Sequence, residues 1–179
     1  MAHMSHNDTS RIPSSVSFDA LLRYNELETQ RWRDWFIKQP DAVLDLAAGD
    51  PKTEMATTRD LLFHIFMVEW VFAKVLNGEA WENEWQKFDR KTREGIFAVA
   101  EEAQPKLRAF AESASAAQLA RNYAITSRGD QTVRGTGVKF LTHVVFHSTR
   151  HWAQMAMLMR QQGHTTGWHH DLVLSDAME

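Results

Sequence analysis

The sequence contains no cysteine among its 179 residues. This absence excludes disulfide bonds, thiolate metal ligands and a cysteine nucleophile, so any bound metal must be held by nitrogen or oxygen atoms. The formal net charge is also small, −3 at pH 7. Because so weak a charge provides no general attraction to nucleic acid or to an anionic membrane surface, we expect the protein to bind neither.

Long apolar runs are absent as well. The most apolar stretch, residues 61–76, is interrupted by His64, Glu69 and Lys74 and is too short to cross a bilayer comfortably. The first ten residues lack the basic-then-apolar order of a secretory signal. We therefore predict a cytoplasmic protein whose residues 1–16 are a disordered or vector-derived tail, and His3 and His6 are left out of the site prediction.

Several familiar site motifs are missing from the chain. It has no H-E-x-x-H segment, which excludes the zincin arrangement of metal ligands and base, and no E-x-x-H segment, which argues against a ferritin-like di-iron bundle. It has neither a P-loop nor a G-x-G-x-x-G segment. Nucleotide binding therefore has no motif to support it.

Helical periodicity of apolar residues dominates what is present. Hydrophobic residues make up 44% of the chain and charged residues 24%, a balance typical of globular proteins. The pattern predicts four long helices. They cover about 18–37, a segment from a capping box at Thr57 and Asp60 to near Gly78, about 89–112 with a kink or break at Pro105, and about 137–162 before Gly163. The fold class is therefore predicted to be all-α, a four-helix bundle.

A long connector separates the third and fourth predicted helices. It is expected to contain a short helix at 115–121 and one extended piece, with a turn at 128–130, and its length would let the last helix cross over the bundle. The predicted domain spans 17–168. Residues 169–179 are predicted to be a C-terminal tail. His169 and His170 in that tail, and His164 shortly before it, are predicted to be solvated.

Three histidines, His143, His147 and His151, are spaced four residues apart in the last helix. Side chains at positions i and i+4 lie on one helix face and can converge on a cation. Each step of four residues rotates the side chain by about 40° around the helix axis, so the three histidines do not all point in the same direction. One adjacent pair is therefore expected to bind metal, and the third histidine is not. A further ligand must come from another helix, and His64 lies in a strongly apolar one. A core histidine bonded to a neighbour is the alternative for His64.

Other side chains near the predicted site have simpler interpretations. Glu69 lies about 140° around its helix from His64, which predicts a salt bridge or interface role rather than a ligand role. Asp60 either accepts a hydrogen bond from His64 or only caps the helix. Gln154 either orients His151 or packs between helices, and Tyr24 is predicted to be a core residue.

Two segments, LLFHIFMVEW at 61–70 and HVVFHSTRHWAQMAMLMRQQG at 143–163, resemble the two signature helices of the DinB/YfiT-like superfamily. The resemblance covers most of the chain. It implies a four-helix bundle that binds a divalent metal through His64, His147 and His151. Three neutral imidazoles would suit zinc or nickel, with iron or copper as further candidates. His143 would then lie one turn before the ligand pair without binding the metal.

One departure from that superfamily concerns the residues after the last ligand. Relatives have Arg-Gly-Gln there, whereas this chain has Trp152, Ala153 and Gln154. Since arginine carries a permanent positive charge, this chain is expected to lack that cation, and any role the cation has in relatives is in doubt.

Two functions remain open from the sequence. Some members of the superfamily are S-transferases that use a low-molecular-weight thiol, which suggests a metalloenzyme acting on a small molecule. Three imidazoles leave a metal position open, where a thiol or a water would have its pKa lowered, so a hydrolase is also compatible. The second function is a non-catalytic, metal-stabilised or metal-sensing bundle. Apolar surface that includes Trp81 and Trp85 suggests a homodimer, and no catalytic residue is assigned.

Overall fold

A computed structural model describes residues 17–49, 52, 54–82, 84–126 and 132–177. The predicted tail at 1–16 and the predicted turn at 128–130 lie outside these residues. Within the described ranges the chain forms five α-helices, three short 3-10 turns and a two-stranded sheet. None of the described helices is both long enough and apolar enough to span a membrane.

The helices follow the local signals of the sequence closely. Their bounds are α1 Phe18–Ile37, α2 Thr58–Leu76, α3 Arg93–Ser113, α4 Ala116–Ala120 and α5 Gly137–Gln161. The predicted capping box of Thr57 and Asp60 is present at the start of α2. The prediction for α3 is wrong at its start, because Thr92 caps the helix and Asp89 belongs to the preceding turn. The helix continues through Pro105.

The four long helices pack around a common core. Both α1 and α2 pack against α3 and α5, so α1 and α2 lie on one diagonal of the bundle. The predicted four-helix arrangement is thus confirmed in outline. Because α5 packs mainly against α1 and α2, the connector does carry the last helix across the bundle, as its length suggested.

The prediction of an all-α fold is wrong in the connector, which forms a hairpin after α4. Strands β1 (Asn122–Thr126) and β2 (Thr132–Thr136) pair in antiparallel register. Tyr123 and Ile125 alternate with exposed residues and face the core, so burial of two side chains holds the hairpin on the bundle. Gly135 opposes Tyr123 and has no room for a Cβ, which would lie 2.8 Å from the Phe140 ring. Two paired strands therefore replace the single extended piece predicted for the connector.

A buried polar network occupies the centre of the bundle. The Glu69 carboxyl is fully buried and accepts hydrogen bonds from Asn25 Nδ2 at 2.6 Å, Ser148 Oγ at 2.7 Å and Gln104 Nε2 at 3.1 Å. Burial raises the pKa of Glu69, and the three donors oppose that rise. These contacts are with neutral groups on three other helices, so of the two roles predicted for Glu69 the structure supports the interface role and not the salt bridge. The network joins one residue from each of the four long helices.

The C-terminal segment packs against α1. An N–H of His170 lies 2.7 Å from the carboxylate of Glu28, which is fully buried, and Tyr24 donates its hydroxyl to the His170 carbonyl. The predicted solvation of His170 is therefore wrong, because its ring stacks on Trp32 and donates to the carboxylate of Glu28, which Arg31 also contacts. His164 is half-buried against Trp35, while His169 is exposed as predicted.

Candidate metal centre

Three histidines meet where α2 packs against α5. The Nε2 atoms of His64 and His147 are 3.0 Å apart, and one nitrogen from each of His64, His147 and His151 lies within 4.8 Å of the other two. His147 and His151 are buried, and His64 is half-buried. The structure therefore brings together the three residues that the resemblance indicated.

The spacing of these nitrogens fits a shared cation. Two nitrogens bound to one zinc ion at about 2.0–2.1 Å, with tetrahedral geometry, are roughly 3.3–3.4 Å apart. The separation of 3.0 Å between His64 Nε2 and His147 Nε2 is a few tenths of an ångström shorter. Small rotations of these two rings would therefore bring their nitrogens to the separation found around one zinc ion. In the metal-free protein, one of these two rings donates an N–H hydrogen bond to the nitrogen lone pair of the other.

The environment keeps the three rings uncharged. Burial, with a smaller contribution from the neighbouring His151, lowers the pKa of His64 to about 4. Burial and the adjacent histidines lower the pKa of His147 to about 2, and burial also lowers the pKa of His151. Because the neutral imidazole is the form that binds metal, all three rings are in the binding form at neutral pH.

Gln154 determines which nitrogen of His151 is available. Its Oε1 lies 3.0 Å from His151 Nδ1, and an amide oxygen can only accept, so Nδ1 carries the proton. The lone pair is then on Nε2, as a ligand requires. Of the two interpretations left open for Gln154, the structure therefore supports the orienting one. His147 Nδ1, in contrast, is buried without a partner among the described residues.

A permanent cation from a different position, Arg150, lies beside the cluster. Arg150 Nη2 is 3.3 Å from His151 Nε2, so the guanidinium donates towards the lone pair of that ring. Arg150 precedes His151 in the chain, whereas the predicted lack of a cation concerned the position after His151, which Trp152 occupies. The side chain of Arg150 is long enough to reach the ring of the next residue.

The remaining predicted neighbours do not join the cluster. Asp60 contacts Thr57 and forms an ion pair with Arg90 at 3.1 Å, so its capping role accounts for it. His143 lies one turn before His147, stacked on the Phe72 ring with 5.1 Å between centroids. The structure therefore places His147 and His151 in the cluster and His143 outside it, as expected from the rotation of about 40° for each step of four residues.

A cavity of about 710 Å³ opens beside His64. Apolar side chains of α2, α5, both strands and the segment between α2 and α3 line most of it. His143 also lines the cavity, on the wall formed by α5. A volume of this size suits a small organic ligand, and the cavity reaches one of the three histidines.

Comparison with known proteins agrees with this arrangement. The model of the DinB family matches residues 4–177, a range that includes every described helix and all three clustered histidines. A search of curated proteins gives no match. The family match covers nearly the whole chain. On this evidence the chain belongs to the DinB family.

Proposed function

We propose that the protein is a metal-dependent enzyme that joins a low-molecular-weight thiol to an apolar small molecule, as an S-transferase does. His64, His147 and His151 would hold the metal. The observation that carries the proposal is the convergence of three neutral imidazole nitrogens, within 4.8 Å of one another, at the edge of a cavity of about 710 Å³. Polar ligands beside a largely apolar cavity are typical of an active site.

The donor set supports a particular group of metals. Three neutral nitrogens without sulfur suit zinc or nickel, with iron as a further candidate. Three protein ligands also leave a coordination position free for a substrate or cofactor. A metal bound there supplies Lewis acidity, which lowers the pKa of a thiol or a water close to neutrality.

The neighbouring side chains have separate roles in this proposal. Gln154 holds His151 with its Nε2 lone pair towards the cluster. Arg150 places a positive charge on the same side of that ring, where it would attract an anionic sulfur. The apolar walls of the cavity exclude water and bind the second substrate.

Metal analysis tests the proposal. Untagged protein is purified without a nickel resin, and its metal content is measured for the wild type, a His147→Ala/His151→Ala variant and a His143→Ala control. We expect about one transition-metal ion per chain in the wild type and the control, and none in the double variant. A wild type that stays empty after zinc or nickel is added back would contradict the metal site.

Turnover is tested with the loaded protein. Glutathione and 1-chloro-2,4-dinitrobenzene provide a simple reaction in which the thiol sulfur displaces chloride, and the double variant serves as the control. Thiol transfer by the loaded wild type alone would support an S-transferase. Metal binding without transfer, combined with hydrolysis of an activated ester, would favour a hydrolase. Metal binding with neither activity would favour the non-catalytic bundle.

A further inference from the structure

The cavity is an elongated groove along α2. Its lining on α2 runs from Asp60 past His64 to Phe72, and the eight residues from His64 to Phe72 correspond to about 12 Å. Met67, Val68 and Val71 lie between these two residues on the lining. Apolar side chains therefore follow the groove for its whole length, away from the histidine cluster.

Charged groups are distributed unevenly along this groove. Two carboxylates, Glu54 and Asp60, lie near the His64 end, and Arg90 there is already paired with Asp60. Lys139 lines the groove one turn before His143 on α5. Among the residues that the structure describes, its ammonium group has no ion-pair partner.

The position of Lys139 is set by its neighbour in the helix. Phe140 packs against Phe72 with 4.7 Å between ring centroids, at the end of the groove farthest from His64. At the His64 end, the carboxylates Glu54 and Asp60 are accompanied by the cations Arg90 and Arg150, so the charges there offset one another in the metal-free protein. At the other end, the positive charge of Lys139 is not offset by a carboxylate among the described lining residues, so an anionic group is attracted more strongly there.

We propose that the groove binds an elongated apolar small molecule that carries one anionic group. The anion pairs with Lys139, the apolar body lies along Met67, Val68 and Val71, and the opposite, uncharged end reaches His64. A zigzag chain with bonds of about 1.5 Å would fill 12 Å with roughly nine or ten carbon atoms. The assignment of the uncharged end as the reacting end rests on the proposed metal site.

A series of n-alkyl carboxylates with 6 to 12 carbons tests the groove. Calorimetry on metal-free protein is expected to show about fourfold tighter binding per added methylene, levelling off near ten carbons. In Lys139→Gln, each acid should bind about two- to fivefold more weakly, while the corresponding 1-alkanols are unaffected. Lys38→Gln, at an exposed position after α1, is the matched control and should change nothing.

A second pair of variants tests where the alkyl chain of the ligand lies. Val71→Trp fills the middle of the groove and should move the levelling point to shorter acids, whereas Val173→Trp, at a position 86% exposed, should not. Circular dichroism confirms that each variant is folded. Affinity independent of chain length, or equal effects of the two tryptophans, would overturn the proposed groove. Alkanols and acids with the same response to Lys139→Gln would overturn the anion site.

The test of the groove can fail or succeed independently of the test of the metal site. Zinc binding is measured on the same preparations. If zinc binds and the carboxylates do not, the groove proposal fails while the metal site stands. If the carboxylates bind with the expected length dependence and zinc does not, the metal site fails.

Discussion

Two neighbours of His151 should change metal affinity in opposite directions. Gln154 accepts the hydrogen bond from His151 Nδ1 at 3.0 Å and so keeps the Nε2 lone pair available. Gln154→Ala removes that acceptor. Loss of such a partner of a metal-binding histidine typically weakens metal affinity by about 10- to 100-fold.

Arg150→Gln should have the reverse effect. The guanidinium lies 3.3 Å from His151 Nε2, and a metal must break that hydrogen bond, at a net cost of about 1 kcal/mol. Repulsion between a dication and the guanidinium adds about 1.5 kcal/mol at roughly 5 Å in water. Since Arg150 is exposed and salt screens its charge, we expect a gain of about tenfold in affinity rather than the full sum.

Zinc titration against a chromophoric chelator at pH 7.5 measures both changes. Arg160→Gln removes an exposed arginine from the same helix and serves as the control, with no expected effect. The reasoning is refuted if Arg150→Gln weakens zinc binding, or if Gln154→Ala leaves it unchanged. A smaller gain for Arg150→Gln at high salt would confirm that charge repulsion contributes.

Two further predictions concern stability. The pKa values of His64 and His147 lie below the value of about 6.5 expected in the unfolded chain, so metal-free protein should lose stability as the pH falls from 6.5 towards 4. We expect the free energy of unfolding at pH 5 to be about 2–4 kcal/mol lower than at pH 7.5, measured by urea unfolding. An unchanged urea midpoint would disprove this prediction. His170→Ala removes the hydrogen bond to the buried carboxylate of Glu28 and should lower the free energy of unfolding by about 1–3 kcal/mol. His169→Ala, at an exposed position, should lower it by less than about 0.5 kcal/mol. Equal shifts in melting temperature would contradict the packed C-terminal segment.

Local signals in the sequence predicted the long helices and the histidine pair. The capping box at Thr57 and Asp60 and the cap at Ser17 are short-range interactions, so they mark helix starts without knowledge of the fold. The choice of one adjacent histidine pair followed from helix geometry alone. Geometry within α5 does not say whether the pair is His143 and His147 or His147 and His151. The position of His64 on the partner helix decides this, because His64 lies beside His147 and His151.

The features that were missed depend on contacts distant in sequence. Each strand of the hairpin has five residues, too few for a periodic signal, and its stability comes from Tyr123 and Ile125 against the bundle. The C-terminal segment depends on Glu28, which in the sequence resembles any acid on a helix surface. Arg150 reaches His151 through a long flexible side chain, which residue spacing does not describe.

The Glu69 network also determines how the metal centre is assembled. Its hydrogen bond to Ser148 joins α2 to α5 at the residue next to His147. If α2 slipped along α5 by one turn, about 5.4 Å, the buried carboxyl would lose this donor and His64 would no longer face His147. The alignment of the histidines is thus maintained by an interaction that contains no metal. The histidines are held in place in advance, so we expect a metal to enter or leave the proposed site with local ring movements and without refolding of the bundle.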